Sequence, residues 1–182
     1  MLDKLYFAKV RQNAIIPSKR EEDAGYDVYA CFDEDEIVIS PGEIKFIPTG
    51  IATAFPSDYV LLARERGSTG SKGLAVRCGV IDSGYRDEIF IPINNTTDKI
   101  IIISKDIEKT KRKVIRNEII ILGNEYSPSL LDRHYTFYPY SKAIAQLILV
   151  PVPKVEVKEL SYEELSKIKS ERGTGKLGST NK

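Results

Sequence analysis

Asp82 and Tyr85 stand three residues apart in Gly79-Val80-Ile81-Asp82-Ser83-Gly84-Tyr85-Arg86-Asp87-Glu88. A carboxylate in a glycine-flanked turn can act as a general base, and a ring three residues on can stack on a flat or puckered ligand. Other stretches carry groups suited to a polyanion. In Asp23-Ala24-Gly25-Tyr26-Asp27-Val28, the carboxylate of Asp27 follows a glycine, where it either caps a turn or serves a site. Arg64-Glu65-Arg66-Gly67-Ser68-Thr69-Gly70-Ser71-Lys72-Gly73 offers a guanidinium, hydroxyls and unobstructed backbone N–H groups, the means of cradling phosphate oxygens. Its spacing is not that of G-x-x-x-x-G-K-[ST], and alone such a loop is more often only a loop. Gln146 places one amide in the apolar run Ala143–Val150, as a structural hydrogen bonder or a ligand contact. The tail from Glu171 to Thr180 is basic and hydroxyl-rich; it suits closure over a triphosphate with ordering on binding, or is simply disordered.

The elements that must position these groups read as mostly β. Strands are expected at Leu5–Val10, Glu36–Ile39, Glu43–Pro48, Gly50–Phe55 and Tyr59–Ala63, with Pro41-Gly42 and Pro56-Ser57-Asp58 as turns. Val80-Ile81 and the alternating Ile89, Ile91 and Ile93 predict strand, tight turn, strand, with Asp82 and Tyr85 at the end of a hairpin. Later strands are expected at Lys99–Ser104, Glu118–Leu122, His134–Tyr138, Ala143–Val152 and Val155–Val157. Short strands with Gly/Pro punctuation suggest a sandwich, jelly roll or barrel. One short helix is expected at Ser161–Lys167, with Ser161 as N-cap and Glu164 three residues on.

The bulk composition narrows the classes. A chain of 182 residues fits one domain with a real core. A net charge of +1 supplies no field to recruit nucleic acid or a membrane surface. The longest aliphatic run, Ile100–Ile103, is far too short to span a bilayer. Cys31 and Cys78 lack metal-ligand spacing, and with His134 as the single histidine a His/Cys zinc site is improbable. No secretory signal opens the sequence, and the cysteine usage fits a reducing cytoplasm. Lys105–Arg116 holds six Lys/Arg against Asp106 and Glu108, expected as a solvated hairpin tip or a docking surface for a protein partner.

Five segments in order resemble the motifs of the homotrimeric dUTP pyrophosphatase (dUTPase) family: Ala24–Asp27, Arg66–Gly70, Gly79–Arg86, Ile144–Leu147 and Arg172–Thr180. The resemblance implies an all-β jelly-roll (β-clip) domain over residues 1–170, with an inserted hairpin about 98–136 and a flexible arm, 171–182, that closes over bound nucleotide. It implies a homotrimer with shared active sites and hydrolysis of dUTP to dUMP and pyrophosphate with Mg²⁺, the ion being held by the triphosphate and waters rather than by the protein. In that frame Asp82 activates the water that attacks the α-phosphorus. Tyr85 packs on the deoxyribose and excludes a 2′-hydroxyl. Backbone groups of Gly79, Val80 and Ile81, with Phe90 on the returning strand, read uracil. Arg66, Ser68 and Gln146 hold phosphate oxygens, Arg172, Gly178 and Ser179 reach the γ-phosphate, and Asp27 supports the site beside an arginine or water.

The sequence also departs from the family pattern. The family's Pro-Arg-Ser-Gly is here Glu65-Arg66-Gly67-Ser68, so either Ser68 or the backbone N–H of Gly67 makes the phosphate contact. Ser141-Lys142-Ala143 replaces the usual Gly-Asp-Arg, Asp87 stands where a glycine is usual, and Leu177 replaces a phenylalanine that covers uracil, a loss of stacking worth about 1 kcal/mol. Two other readings follow. A dCTP deaminase, or a bifunctional relative, shares the fold but needs a glutamate on the strand leaving the third motif, where this chain has Ile91-Pro92-Ile93 with Glu88 nearby. A regulatory binding protein that keeps the fold would use the basic segment as its partner surface.

Overall fold

Strand pairing in the computed structural model, which describes residues 3–122, 129–171 and 173, builds four small sheets. Strand β1 (Tyr6–Lys9) pairs antiparallel with β5 (Ile51–Ala54). A second sheet runs β11 (Tyr135–Pro139), β10 (Ile100–Ser104), β3 (Glu36–Ile39). A third runs β2 (Tyr26–Val28), β12 (Ala145–Pro151), β6 (Tyr59–Arg64), β8 (Val80–Ile81), and a fourth β4 (Ile44–Pro48), β9 (Phe90–Asn95), β7 (Leu74–Val76). The inward side chains of these sheets meet in one core that includes Val28, Ile39, Ile47, Phe55, Leu61, Ile91, Ile103, Tyr138 and Leu147. Burying such aliphatic faces is the main driving force for closing the sheets on each other.

The strands expected before residue 64 are present with small shifts at their ends, and the all-β reading holds. The inserted segment is different. Residues Ile107–Leu122 form a helix, α2, so the inserted hairpin expected at about 98–136, with a strand at Glu118–Leu122, is corrected. The reason lies in the pairing of its flanks. Strands β10 and β11 run parallel, with Ile100 opposite Tyr135 and Ser104 opposite Pro139. Parallel neighbours require a crossover, which a hairpin cannot supply and a helix can. A short helix, α3 (Ser129–His134), leads into β11. Strand β10 is buried along most of its length, the pattern of a strand covered on both faces.

The basic segment therefore lies on a helix, and much of its charge is matched. Lys109 pairs with Asp35 at 2.7 Å and Lys113 with Glu36 at 2.5 Å, while Thr110 donates to Glu36 at 2.8 Å. Lys105 donates to the Asp33 carbonyl at 2.9 Å and lies over the rings of Phe32 and Tyr140. Lys111 pairs with Glu108 at 3.4 Å.

The chain divides into two units, Met1–Val152 and Pro153–Lys182, whereas the sequence places the boundary at 170. In the second unit the expected helix forms as α4 (Tyr162–Ser166), with a capping box in which Ser161 Oγ accepts from Glu164 N–H at 3.2 Å and Ser161 N–H donates to Glu164 at 2.9 Å. Val155–Val157, expected as a strand, is not one.

Candidate functional site

Asp27 lies on β2 and Arg66 just past the end of β6; both strands flank β12, which carries Gln146 between them. Gln146 is opposite Asp27 on one side and Arg64 on the other. This pairing brings three of the sequence motifs to one place. Arg66 holds Asp27 in a two-pronged contact, Nε to Oδ1 at 2.7 Å and Nη2 to Oδ2 at 3.0 Å. Its third nitrogen, Nη1, donates to Ser68 Oγ at 3.3 Å. Gln146 Nε2 donates to the Glu65 carbonyl at 2.8 Å, which ties the amide to the start of the phosphate-type loop. Gly25 is required by this packing, because a Cβ there would collide with the Gln146 side chain, its own Cβ at 2.9 Å included.

The loop after β6 is not irregular throughout. Gly67–Gly70 forms one helical turn, α1, entered through Arg66, whose N–H donates to Thr69 Oγ1 at 2.9 Å. A Cβ at Gly67 would meet nothing within 4 Å beyond its own helical turn. Asp27, Arg66, Gly67, Ser68 and Gln146 line one polar cleft of about 710 Å³, together with Ser18, Lys19, Arg20 and Asp23. Arg20 is matched by Asp23 (Nε to Oδ2 at 2.9 Å) and Arg66 by Asp27, whereas the Lys19 ammonium meets the carbonyls of Arg20 and Glu21 at 3.2 Å and the Tyr26 ring. The cleft thus presents preset donors to an anion. Tyr138, fully buried, donates to the Ala143 carbonyl at 2.7 Å; burial pushes its phenol up, against the pull of the Arg66 guanidinium and Ser68 hydroxyl beside it.

Asp82 and Tyr85 lie in a different depression of about 260 Å³, lined by Phe46, Cys78, Val80, Ile81, Asp82, Tyr85, Ile89, Phe90 and Pro92. It is mostly apolar with one carboxylate, the character of a small-molecule pocket. The expected paired hairpin is corrected here. Strand β8 pairs with β6, and β9 pairs with β4 and β7, so the segment from Asp82 to Ile89 bridges two sheets. The bridge begins with a turn in which Tyr85 N–H donates to the Asp82 carbonyl at 3.0 Å. Its far end is fastened by Glu88, which accepts from Arg11 Nε at 3.0 Å and from Gly50 N–H at 2.8 Å. Strand β8 is an edge strand of its sheet, so one side of Val80 and Ile81 is free of strand pairing among the described residues. Gly79 sits against β6, where its carbonyl accepts from Ala63 N–H at 2.7 Å and a Cβ would collide with the Ala63 carbonyl.

The two clefts share no lining residue. Arg172, Leu177, Gly178 and Ser179 lie outside the described residues. Sequence reasoning missed Phe46, 61% exposed at the pocket because β4 pairs Phe46 with Pro92 of β9. It also missed Lys19 and the Arg11–Glu88 pair. For Lys19 the available signal is its position on the chain leading into Ala24–Asp27; for the others only the three-dimensional pairing brings the residues together. Among the described residues no group of three or more His, Cys, Asp or Glu comes together to hold a metal, no helix is long and apolar enough to cross a membrane, and both cysteines are free.

An all-β chain with a donor-rich polar cleft and a separate apolar pocket bearing one carboxylate is built to hold a phosphorylated, ring-containing ligand. The dUTPase family model matches residues 11–108, just over half of the chain. The deoxyuridine 5′-triphosphate nucleotidohydrolase of Nautilia profundicola is 31% identical over 183 residues, covering 98% of this chain and 99% of the relative. That of Hydrogenobaculum is 33% identical over 181 residues, with 97% of each chain covered. In fold, the chain is similar to a point mutant of the Staphylococcus bacteriophage 80alpha dUTPase solved with dUpNHpp, at a TM-score of 0.68 and 23% identity, over 97% of this chain and 98% of that one. The chain belongs to the dUTPase family.

Proposed function

We propose that this dUTPase converts dUTP to dUMP and pyrophosphate at sites completed only when copies of the chain assemble. The observation that carries this reading is the division of the motif residues between two clefts with no residue in common. The polar cleft supplies Arg66, Ser68 and Gln146 to the phosphates of one nucleotide, and the apolar pocket of a neighbouring copy supplies Asp82, Tyr85 and the backbone edge of β8 to its base and sugar. A closed homotrimer with three such sites satisfies both halves. Arg172, Gly178 and Ser179 of the arm close over the triphosphate, and Leu177 covers the uracil.

Asp82 accepts a proton from water as the water oxygen bonds to the α-phosphorus; the bond from that phosphorus to the bridging oxygen breaks and pyrophosphate leaves. Arg66 is already aligned by Asp27, so donors for the developing charge need little reorganisation. Ser68 Oγ stands beside Arg66 Nη1, which favours Ser68 over the Gly67 N–H as the phosphate contact. The Tyr85 ring covers the sugar face and leaves no room for a 2′-hydroxyl. Mg²⁺ would be held by the oxygens of the triphosphate and by water, where it would supply neutralisation of charge beside Arg66 and Ser68. Glu88 is engaged by Arg11 and Gly50, so it is not poised as the proton shuttle that deamination of dCTP needs.

Pyrophosphate release from dUTP, UTP, dTTP and dCTP, with and without Mg²⁺, tests the reading. Selective release from dUTP supports it, and robust ammonia release from dCTP overturns it. A protein partner at Lys105–Arg116 would meet Arg112 and Arg116, both exposed on α2 one turn apart. A pull-down that loses its partner on Arg112→Glu/Arg116→Glu substitution, with hydrolysis intact, supports that second role; retention of every partner removes it.

A further inference from the structure

We infer that the Arg11–Glu88 ion pair sets the pose of the Tyr85 ring, which makes both residues positioning residues for the choice of deoxyribose over ribose; this rests on the reading that Tyr85 covers the sugar. The bridge from Asp82 to Ile89 spans two sheets, and Asp82 and Gly84 to Asp87 are exposed. The core first takes hold of the bridge at Ile89, 2% exposed, whose N–H donates to the Ile51 carbonyl at 2.8 Å. Tyr85 itself is 42% exposed, so packing alone does not fix its ring. Its hydroxyl donates to the Glu88 carbonyl at 2.8 Å, which makes the far end of the ring follow the Glu88 backbone.

The Glu88 backbone is in turn held through its own side chain. The carboxylate is 12% exposed and accepts from Arg11 Nε at 3.0 and 3.2 Å and from Gly50 N–H at 2.8 Å. Both anchors belong to one rigid corner. Val10 N–H donates to the Gly50 carbonyl at 2.8 Å, and Gly50 has φ 67° with Ala14, Arg11 and Cys31 crowding the place of a Cβ. Charge-assisted hydrogen bonds at a mostly buried carboxylate are the strong kind, and loss of one partner leaves the other unpaired. The order of control runs from that corner through Glu88 to the Tyr85 hydroxyl and so to the ring.

The test is the ratio of kcat/KM for dUTP to that for UTP in Arg11→Ala, Glu88→Ala, Glu88→Gln and Tyr85→Phe, each checked for an intact fold by circular dichroism. We expect the ratio to fall about tenfold in Arg11→Ala and Glu88→Ala, less in Glu88→Gln, which retains an acceptor for Gly50. Tyr85→Phe keeps the ring but loses its tether, and lowers the ratio without touching the corner. On dUTP the loss appears in KM more than in kcat, because the ring contacts ground state and transition state alike. If Glu88→Ala does not fold, Arg11→Ala and Tyr85→Phe decide. An unchanged ratio in folded Arg11→Ala and Tyr85→Phe overturns the inference. Tyr85→Ala separates the two levels: if it abolishes discrimination while the tether variants keep it, only the clamp fails; if it also leaves discrimination unchanged, the ring's role in sugar selection fails with it.

Discussion

Arg66 grips both carboxylate oxygens of Asp27, at 2.7 and 3.0 Å, across the gap between two strands that each flank β12. The partners are 30% and 31% exposed, so the pair adds little to stability, and its value lies in direction. With two nitrogens committed to Asp27, the remaining guanidinium face turns toward Ser68 and the open cleft. Asp27→Ala frees the side chain to rotate. We expect KM for dUTP to rise about tenfold or more while the melting temperature barely moves. Arg66→Lys should fail in the same way, because an ammonium cannot make the forked contact and still face the cleft. Steady-state kinetics beside a thermal melt check both.

Asp82→Asn removes the carboxylate proposed as proton acceptor and replaces it with an amide of similar size. Turnover should fall by about 10²–10⁴-fold, the usual span for a lost general base, with dUTP binding retained by calorimetry. A variant that turns over at a rate comparable to the unaltered chain would show that Asp82 is not the base.

Several residues that line the two clefts were legible in the sequence because they sit in short local segments. Gly25, Asp27, Arg66, Ser68, Asp82, Tyr85 and Gln146 each stand in a recognisable stretch, and β-sheet pairing needs only to bring those stretches together. What was illegible depended on partners distant in the chain. The β-branched run Ile119–Ile121 reads as a strand, yet the parallel pairing of β10 with β11 demands a crossover, and the Lys- and Glu-rich residues before it are good helix formers. Val80-Ile81 and Phe90–Asn95 look like two arms of a hairpin; each instead finds a partner elsewhere, β6 for the first and β4 with β7 for the second. Phe46 and Arg11 enter the apolar pocket and its support only through such pairings.

The seat of α2 on β3 should depend on pH. Burial pushes the Glu36 carboxyl up, but hydrogen bonds from Lys113 and Thr110 outweigh it and hold the group below the ordinary value of 4.5. Asp35 is also held low, chiefly by its hydrogen bond with Lys109. A carboxylate lowered on folding stabilises fully above its ordinary value, and the contribution is lost as pH falls through the folded value. Docking of α2 should therefore be intact near neutrality and weaken below about pH 4.5. Glu36→Gln removes the charge at every pH, so the gap in melting temperature between it and the unaltered chain should close on acidification. A gap constant from neutral to acid pH would contradict this.

Truncation after Ser170 tests the arm. The core cluster lies wholly between Val28 and Leu147, so removing the last dozen residues leaves it untouched. If the arm serves as the proposed lid, activity should fall heavily while the melting temperature is held. Unchanged kinetics would show that the arm is not a lid.

Subunit mixing decides whether a site is shared. Arg66→Ala removes the guanidinium from the polar cleft and Asp82→Asn the carboxylate from the apolar pocket, and the two clefts have no residue in common. Each variant alone should be nearly inactive. If one copy's Arg66 works with another copy's Asp82, a site that draws its cleft from the Asp82→Asn chain and its pocket from the Arg66→Ala chain is whole. Equal mixing with free exchange of subunits makes about a quarter of the sites whole, so about a quarter of full activity should return. If both residues served the same nucleotide from a single chain, every site would carry one lesion and mixing would restore nothing. Labelled subunits, followed to confirm exchange, separate that result from a failure to mix.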